Sequence, residues 1–152
     1  MVYGITDETM NVKGFINIMD SLKEHFAYTY GEAAGYLKTL ERSLIQKSKF
    51  NNELLYNIVA MCTEKIFMTY LLHKGKNAIH HTPMALFNEV DKIYKLPENY
   101  KDTVKLIGKF ESICLIEAFG YKTPTSEELT KMIEGLIEIK RHLDLTINNF
   151  AS

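Results

Sequence analysis

The chain has 152 residues and a formal net charge of −1 at pH 7. This length is typical of a single domain with a sizeable core. The near-zero charge excludes a protein whose overall field draws it to nucleic acid or to an anionic membrane, so such binding would need a local basic patch. The first ten residues, MVYGITDETM, lack the basic start and apolar run of a signal peptide, which predicts a cytoplasmic protein.

Helical periodicity dominates the sequence, and no segment shows sustained alternation of β-branched residues. The three prolines, Pro83, Pro97 and Pro124, each fall between periodic segments. We therefore expect an all-α fold. Short connections between long amphipathic segments predict an antiparallel up-and-down helical bundle of four main helices and one short helix, with an extra N-terminal helix.

The first predicted helix carries one apolar stripe for about thirty residues, with steps of three or four. Gly31 and Gly35 lie inside it, and each costs about 1 kcal/mol relative to alanine in a helix. A continuous helix here would be about 45–50 Å long, more than the later helices could cover. The pattern therefore favours a break or bend near Gly31; the alternative is a first half that projects and packs on a second copy. The stripe comprises Phe15, Met19, Leu22, Phe26, Tyr30, Ala33, Leu37, Leu40 and Leu44.

The second predicted helix is apolar on nearly every side, which places it in the middle of a bundle. Asn51 or Asn52 can cap its start, and Gly75 is suited to its end. Glu64 and Lys65 interrupt the apolar run, which argues against a membrane span. These two residues either occupy an exposed edge, paired with neighbouring charges, or form a buried polar pair that lines a groove.

The remaining helices are marked by their start signals. Thr82 followed by Pro83 combines a capping hydroxyl with proline at the first helical position, and it begins the short helix of residues 82–95. A fourth helix is predicted over residues 100–119. Thr125 and Glu128 have the spacing of a capping box at the start of the last helix.

Two cysteines, Cys62 and Cys114, lie in apolar helical runs without a CxxC partner. Neither has a histidine or an acidic residue at a recognisable nucleophile spacing. We interpret both as core thiols in a reducing compartment rather than as a disulfide, a metal site or a nucleophile.

Four features follow one another after residue 31: the first-helix segment GYLKTLERSLIQ, the central step Thr63-Glu64-Lys65-Ile66, the loop glycine Gly75, and His81-Thr82 before the next helix. With these features, residues 31–148 show a resemblance to the HEPN family of helical domains. It implies a HEPN-like bundle over residues 31–148 and an N-terminal helical extension over residues 1–30. HEPN ribonucleases use an arginine followed four to six residues later by histidine. Neither Arg42 nor Arg141 has such a partner, so the expected module is not an enzyme.

The resemblance implies nucleotide- or RNA-related binding, with a nucleotidyltransferase-type protein partner in a toxin–antitoxin-like pair. The loop of residues 73–81 is the expected site. Lys74 and Lys76 would supply positive charge, and the helix start at Thr82, with His81 beside it, would supply anion donors. Two alternatives are a solvated connection and a metal site formed by the loop's histidines.

A second hypothesis for the whole chain is a structural or oligomerisation module, a homodimer with no small-molecule ligand. The feature that favours it is the apolar stripe of residues 15–44, which is longer than an isolated bundle needs. No cofactor is predicted under either hypothesis.

Overall fold

The computed structural model describes residues 2–46, 49–111 and 123–151, with side chains from residue 12 to residue 149 of those ranges. These residues form helices and connections and contain no strand, so the predicted all-α class is confirmed. The helices are α1 (Val2–Ile45), α2 (Asn52–His73), α3 (Pro83–Tyr94), α4 (Glu98–Glu111) and α5 (Ser126–Ala151).

Helix α1 is uninterrupted over 44 residues, which corresponds to about 66 Å. The break predicted near Gly31 is therefore wrong, and the extra N-terminal helix is the first half of α1 rather than a separate element. About three helical turns around the glycines bury Thr29, Ala33, Leu37 and Leu40. This burial offsets the roughly 1 kcal/mol that each glycine costs. The predicted division at residue 30 falls inside α1 and stays a prediction.

Helix α2 is the centre of the fold, as its apolar character predicts. It contacts all four other helices, and twelve of its 22 residues are buried. Leu54 and Met61 are exceptions, because both remain substantially exposed. Cys62 is fully buried, with Sγ 3.7 Å from the carbonyl oxygen of Ala33, and burial raises the pKa of its thiol to about 12. Its predicted role as a core thiol is confirmed.

Both ends of α2 form as predicted. The Asn51 side chain accepts a hydrogen bond of 2.8 Å from the N–H of Leu54. At the other end Gly75 has φ +70°, and its N–H donates to the carbonyl of Leu72 while the N–H of Lys76 donates to that of Leu71. This pair of bonds is a Schellman motif, whose left-handed residue favours glycine.

The start of α3 differs from the prediction in one respect. Thr82 occupies the N-cap position with an extended backbone, and Pro83 is the first helical residue, but the threonine hydroxyl makes no capping hydrogen bond. The predicted capping box of α5 is complete: Thr125 N–H donates to Glu128, and Glu128 N–H donates to Thr125 Oγ1, each over 3.1 Å.

The two N-caps predict a contrast in stability. Asn51→Ala should lower the free energy of unfolding by about 1 kcal/mol, because it removes a formed capping bond. Thr82→Ala should change it by only a few tenths, because no side-chain bond is lost. Urea denaturation followed by circular dichroism measures both. Equal losses for the two variants would contradict the assignment.

Helix α4 packs on both α3 and α5 and buries Tyr100, Val104, Ile107 and Phe110. Its described part ends at Glu111. The remainder of the predicted fourth helix, with Cys114, lies outside the described residues.

Candidate functional site

The connection between α2 and α3 is held by Glu89 of α3. Its carboxylate accepts hydrogen bonds from the backbone N–H of Ile79 (3.2 Å) and of His80 (2.8 Å), and it lies 2.7 Å from His80 Nδ1. Partial burial alone would raise the pKa of Glu89, but the hydrogen bonds from His80 and Ile79 bring it below its usual value. An ionised carboxylate thus anchors the loop.

The predicted contact residues of this loop have different partners. The Nζ of Lys74 lies 5.5 Å from the ring centroid of Tyr94, a cation–π arrangement. Lys76 is exposed at the end of the Schellman motif. His81 Nδ1 lies 3.4 Å from Glu64 Oε1, and this polar contact also accounts for Glu64 on a mostly apolar helix.

Two carboxylates therefore flank the end of the loop that precedes α3. Glu64 lies beside His81 and Glu89 beside His80, so negative charge is already present where a phosphate was expected. Like charges close together repel, and this weakens an anion site at Thr82. Lys65 pairs with Glu32 at 3.3 Å, and both side chains are about a quarter exposed, so the Glu64–Lys65 step is half-buried and paired with neighbouring polar groups rather than lying on a fully exposed edge.

The loop histidines do not converge on one point. The ring of His73 packs on Phe26, with centroids 5.9 Å apart, while His80 and His81 face different glutamates. Burial, aided by the charge of Lys74, lowers the pKa of His73. Within residues 2–46, 49–111 and 123–151, no three His, Cys, Asp or Glu side chains are grouped as metal ligands.

A polar cluster that the sequence does not reveal joins α1 to α5. The hydroxyl of Tyr30 donates to Asp144 over 2.7 Å, and Lys140 donates to the same carboxylate over 2.9 Å. The Lys140 ammonium also lies 4.7 Å from the centroid of the Tyr30 ring. Burial opposes the charged form of Lys140, but the Asp144 carboxylate raises the pKa of Lys140, so its ammonium stays protonated at neutral pH. These mutual bonds identify the cluster as a link between helices.

Tyr70 joins α2 to α5 nearby. Its buried hydroxyl donates to the carbonyl of Ile139 (3.2 Å) and lies 2.8 Å from Nδ1 of His142. Burial raises the pKa of the Tyr70 hydroxyl, so it remains protonated at neutral pH. Burial also lowers the pKa of His142. Because Tyr70 and His142 contact each other, we assign both side chains a structural role in joining α2 to α5.

The most unusual surface of the molecule is the part of α1 before Leu22. From Val12 to Ser21 no residue is buried, and only Gly14 is partly covered. Five large apolar side chains are exposed there, Phe15 by 64% and Ile18 by 60%. We call this surface the projecting face; it comprises Val12, Phe15, Ile16, Ile18 and Met19.

The projecting face continues the buried stripe of the same helix. At 100° per residue its five members fall within about 160° of the helix circumference, on the side that buries Ala33 and Leu37 further along. The opposite side carries polar residues such as Lys13, Asn17 and Asp20. One apolar stripe is therefore covered by the chain's own bundle along one half and uncovered along the other.

A cavity of about 290 Å³ lies where the covered and uncovered halves meet. It is bounded by α1 on one side and by the end of α2 on the other, and most of its wall is apolar. The lining residues are Met19, Leu22, Lys23, Phe26, Leu72, His73 and Gly75. In the sequence, the only indication of this cavity is indirect: the apolar stripe of the first helix is longer than an isolated bundle needs.

Comparison of the chain with models of protein families, with curated proteins and with solved structures finds no match. None of the helices, as far as their residues are described, is both long and apolar enough to cross a membrane.

Proposed function

We propose that this protein is an assembly module in which two copies associate through the projecting face of α1. The observation that carries the proposal is the continuity of the stripe: the same side of one helix is core at Ala33 and Leu37 and exposed at Phe15 and Ile18. Most of the stability of a helix in a protein comes from packing of its apolar side, and no residue from Val12 to Ser21 is buried. A second copy supplies that packing.

The exposed area matches the requirement of a stable dimer. With about 150–200 Å² for a fully exposed large side chain, the five members together expose roughly 450 Å² of apolar surface. Interfaces are about 57% apolar by area, so this corresponds to about 800 Å² per copy. That is the standard size of a specific protein–protein interface. A contiguous apolar patch of this size lies in the range of about 300–600 Å² found for the largest patch on a monomer, and such patches often have a function.

Several finer expectations remain predictions beside this proposal. Phe26 contacts His73, and Leu44 lies in one cleft with Asn52, which supports an antiparallel up-and-down bundle for α1 and α2. The HEPN resemblance, the nucleotidyltransferase-type partner and the cytoplasmic location stay predictions. Nucleotide binding at residues 74–82 is the weaker proposal, because carboxylates flank that loop.

A charge placed on the projecting face tests the proposal. Phe15→Glu should raise the dimer dissociation constant at least 100-fold, because the new carboxylate would be buried without a partner in the interface. Asn17→Glu is the matched control, since it adds the same charge two residues away on the polar side, and it should leave the constant within threefold. Sedimentation equilibrium gives the constants, and circular dichroism checks that both variants keep their helix content.

Two outcomes contradict the proposal. One is a monomeric mass for the unaltered protein at about 100 μM, a concentration far above the working range of an assembly module. The other is a dimer that weakens equally in both variants, which would place the interface elsewhere.

A further inference from the structure

We propose that a cleft between the start of α4 and the second half of α5 binds a small zwitterion, an α-amino acid with an apolar side chain. The cleft has a volume of about 280 Å³, near the lower end of the range for small-molecule sites, so it suits a ligand of metabolite size. Its described lining comes from α4, the proline before it and α5. The inference is therefore independent of self-association through α1.

One part of the cleft is apolar and held in place. The ring of Tyr100 lines it together with Pro97 and Leu145, and Leu145 is 58% exposed. The Tyr100 hydroxyl donates to the carbonyl of Glu138 over 3.4 Å, and its ring meets that of His142 edge-on with centroids 5.7 Å apart. This wall is thus already formed, and covering its apolar surface favours a ligand with an apolar side chain.

The cleft also carries two opposite charges. Glu138 and Arg141 both line it, and because they are three residues apart on α5 their side chains are neighbours. Neither forms an ion pair within the described part of the chain. A simple anion would be repelled by Glu138 and a simple cation by Arg141. The ammonium and carboxylate of one amino acid complement both, and a guanidinium suits a carboxylate in particular.

His142 supplies a hydrogen-bond acceptor to the same cleft. Its Nδ1 lies 2.8 Å from the hydroxyl of Tyr70, which donates its single proton to the carbonyl of Ile139. Nδ1 must therefore donate to the Tyr70 oxygen. Burial lowers the pKa of His142, so the ring is neutral at neutral pH and Nε2 keeps a lone pair. Among the residues that the structure describes, Nε2 has no hydrogen-bond partner, and the ammonium of a bound amino acid is a donor that fits it.

Titration with L-leucine tests the proposal, followed by nitrogen NMR of the histidine rings. We expect a Kd of about 1 mM or tighter, which is within reach of so small a ligand, and a shift of the His142 Nε2 resonance. L-Leucinamide lacks the carboxylate and N-acetyl-L-leucine lacks the ammonium, so each should bind about tenfold more weakly. No response to about 20 mM L-leucine, or equal binding of either derivative, would overturn the proposal.

Two exposed residues allow the charges to be assigned without disturbing the core. Arg141→Gln should weaken L-leucine about tenfold and leave L-leucinamide unchanged, since the amide does not need the guanidinium. Glu138→Gln should weaken L-leucine likewise and leave N-acetyl-L-leucine unchanged. The matched control is Glu134→Gln, which removes the same charge one turn earlier on α5 and should keep the Kd within about threefold. Equal losses for Glu134→Gln and Glu138→Gln would overturn the site.

Discussion

Replacing Tyr70 with alanine should lower the free energy of unfolding by about 3–5 kcal/mol, the range for deleting a large buried aromatic side chain. Tyr70 has no solvent exposure, and its ring packs against Phe67, Tyr94 and His142. Its truncation would leave a void where α2, α3 and α5 meet. The quantity is measured by urea unfolding at neutral pH, with the slope of the transition checked for a change in the denatured state.

The matched control for Tyr70→Ala is Tyr70→Phe, which keeps the ring and removes the hydroxyl. It should cost about 1–2 kcal/mol, because His142 Nδ1 loses a close hydrogen-bonding partner in a partly buried position. The difference between the two variants then reports the ring's share. If both variants cost the same, the stabilisation would come from the hydroxyl network, and the packing argument would be wrong.

Gly135→Ala should destabilise the fold by about 1–3 kcal/mol, although alanine is the better helix former. Gly135 lies in α5 directly against Thr103 of α4, and an added Cβ would lie only 2.9 Å from the Cβ of Thr103. It would overlap the outer atoms of the same side chain even more closely. The Cβ of Thr103 is fixed by its backbone, so rotation of the side chain cannot relieve this overlap and the two helices must move apart.

Two glycines of α1 give the opposite expectation. Gly31 and Gly35 are exposed, and an added Cβ at either position would meet no atom within 4 Å. Gly31→Ala and Gly35→Ala should each raise the free energy of unfolding by about 0.5–1 kcal/mol, through helix propensity and a more restricted unfolded chain. The same urea titration measures all three variants. Stabilisation by Gly135→Ala, or a loss for either α1 variant, would contradict this account.

Local patterns predicted the helices well, because stripes and caps are encoded within a few residues. The capping box of Thr125 and Glu128 and the glycine stop at Gly75 are examples. The break near Gly31 was predicted wrongly for a tertiary reason. Helix propensity counts each glycine as destabilising. The neighbouring turns, however, bury Ala33 and Leu37 against other helices, and the free energy gained by this packing cannot be read from the local sequence.

The site features were harder to predict, because their partners are distant in sequence. Tyr30 and Asp144 are 114 residues apart, and only the spacing of Lys140 and Asp144 on one helix hinted at an ion pair. Glu89 follows His80 by nine residues, across a loop whose course no local rule defines. Its carboxylate nevertheless determines the charge at the predicted anion site.

The unbroken course of α1 gives the molecule a mechanical lever. The segment of α1 that carries Thr29, Ala33 and Leu40 is packed in the core, while Val12 and Phe15 lie on the exposed N-terminal segment of the same helix. A tilt of the clamped part by about 10° would displace the end of an arm about 30 Å long by about 5 Å, as much as one helical turn. A small change of packing around Ala33 therefore produces a larger displacement at the N-terminal end of α1. Side chains in the core thus determine the direction of the projecting face, although they do not contact it.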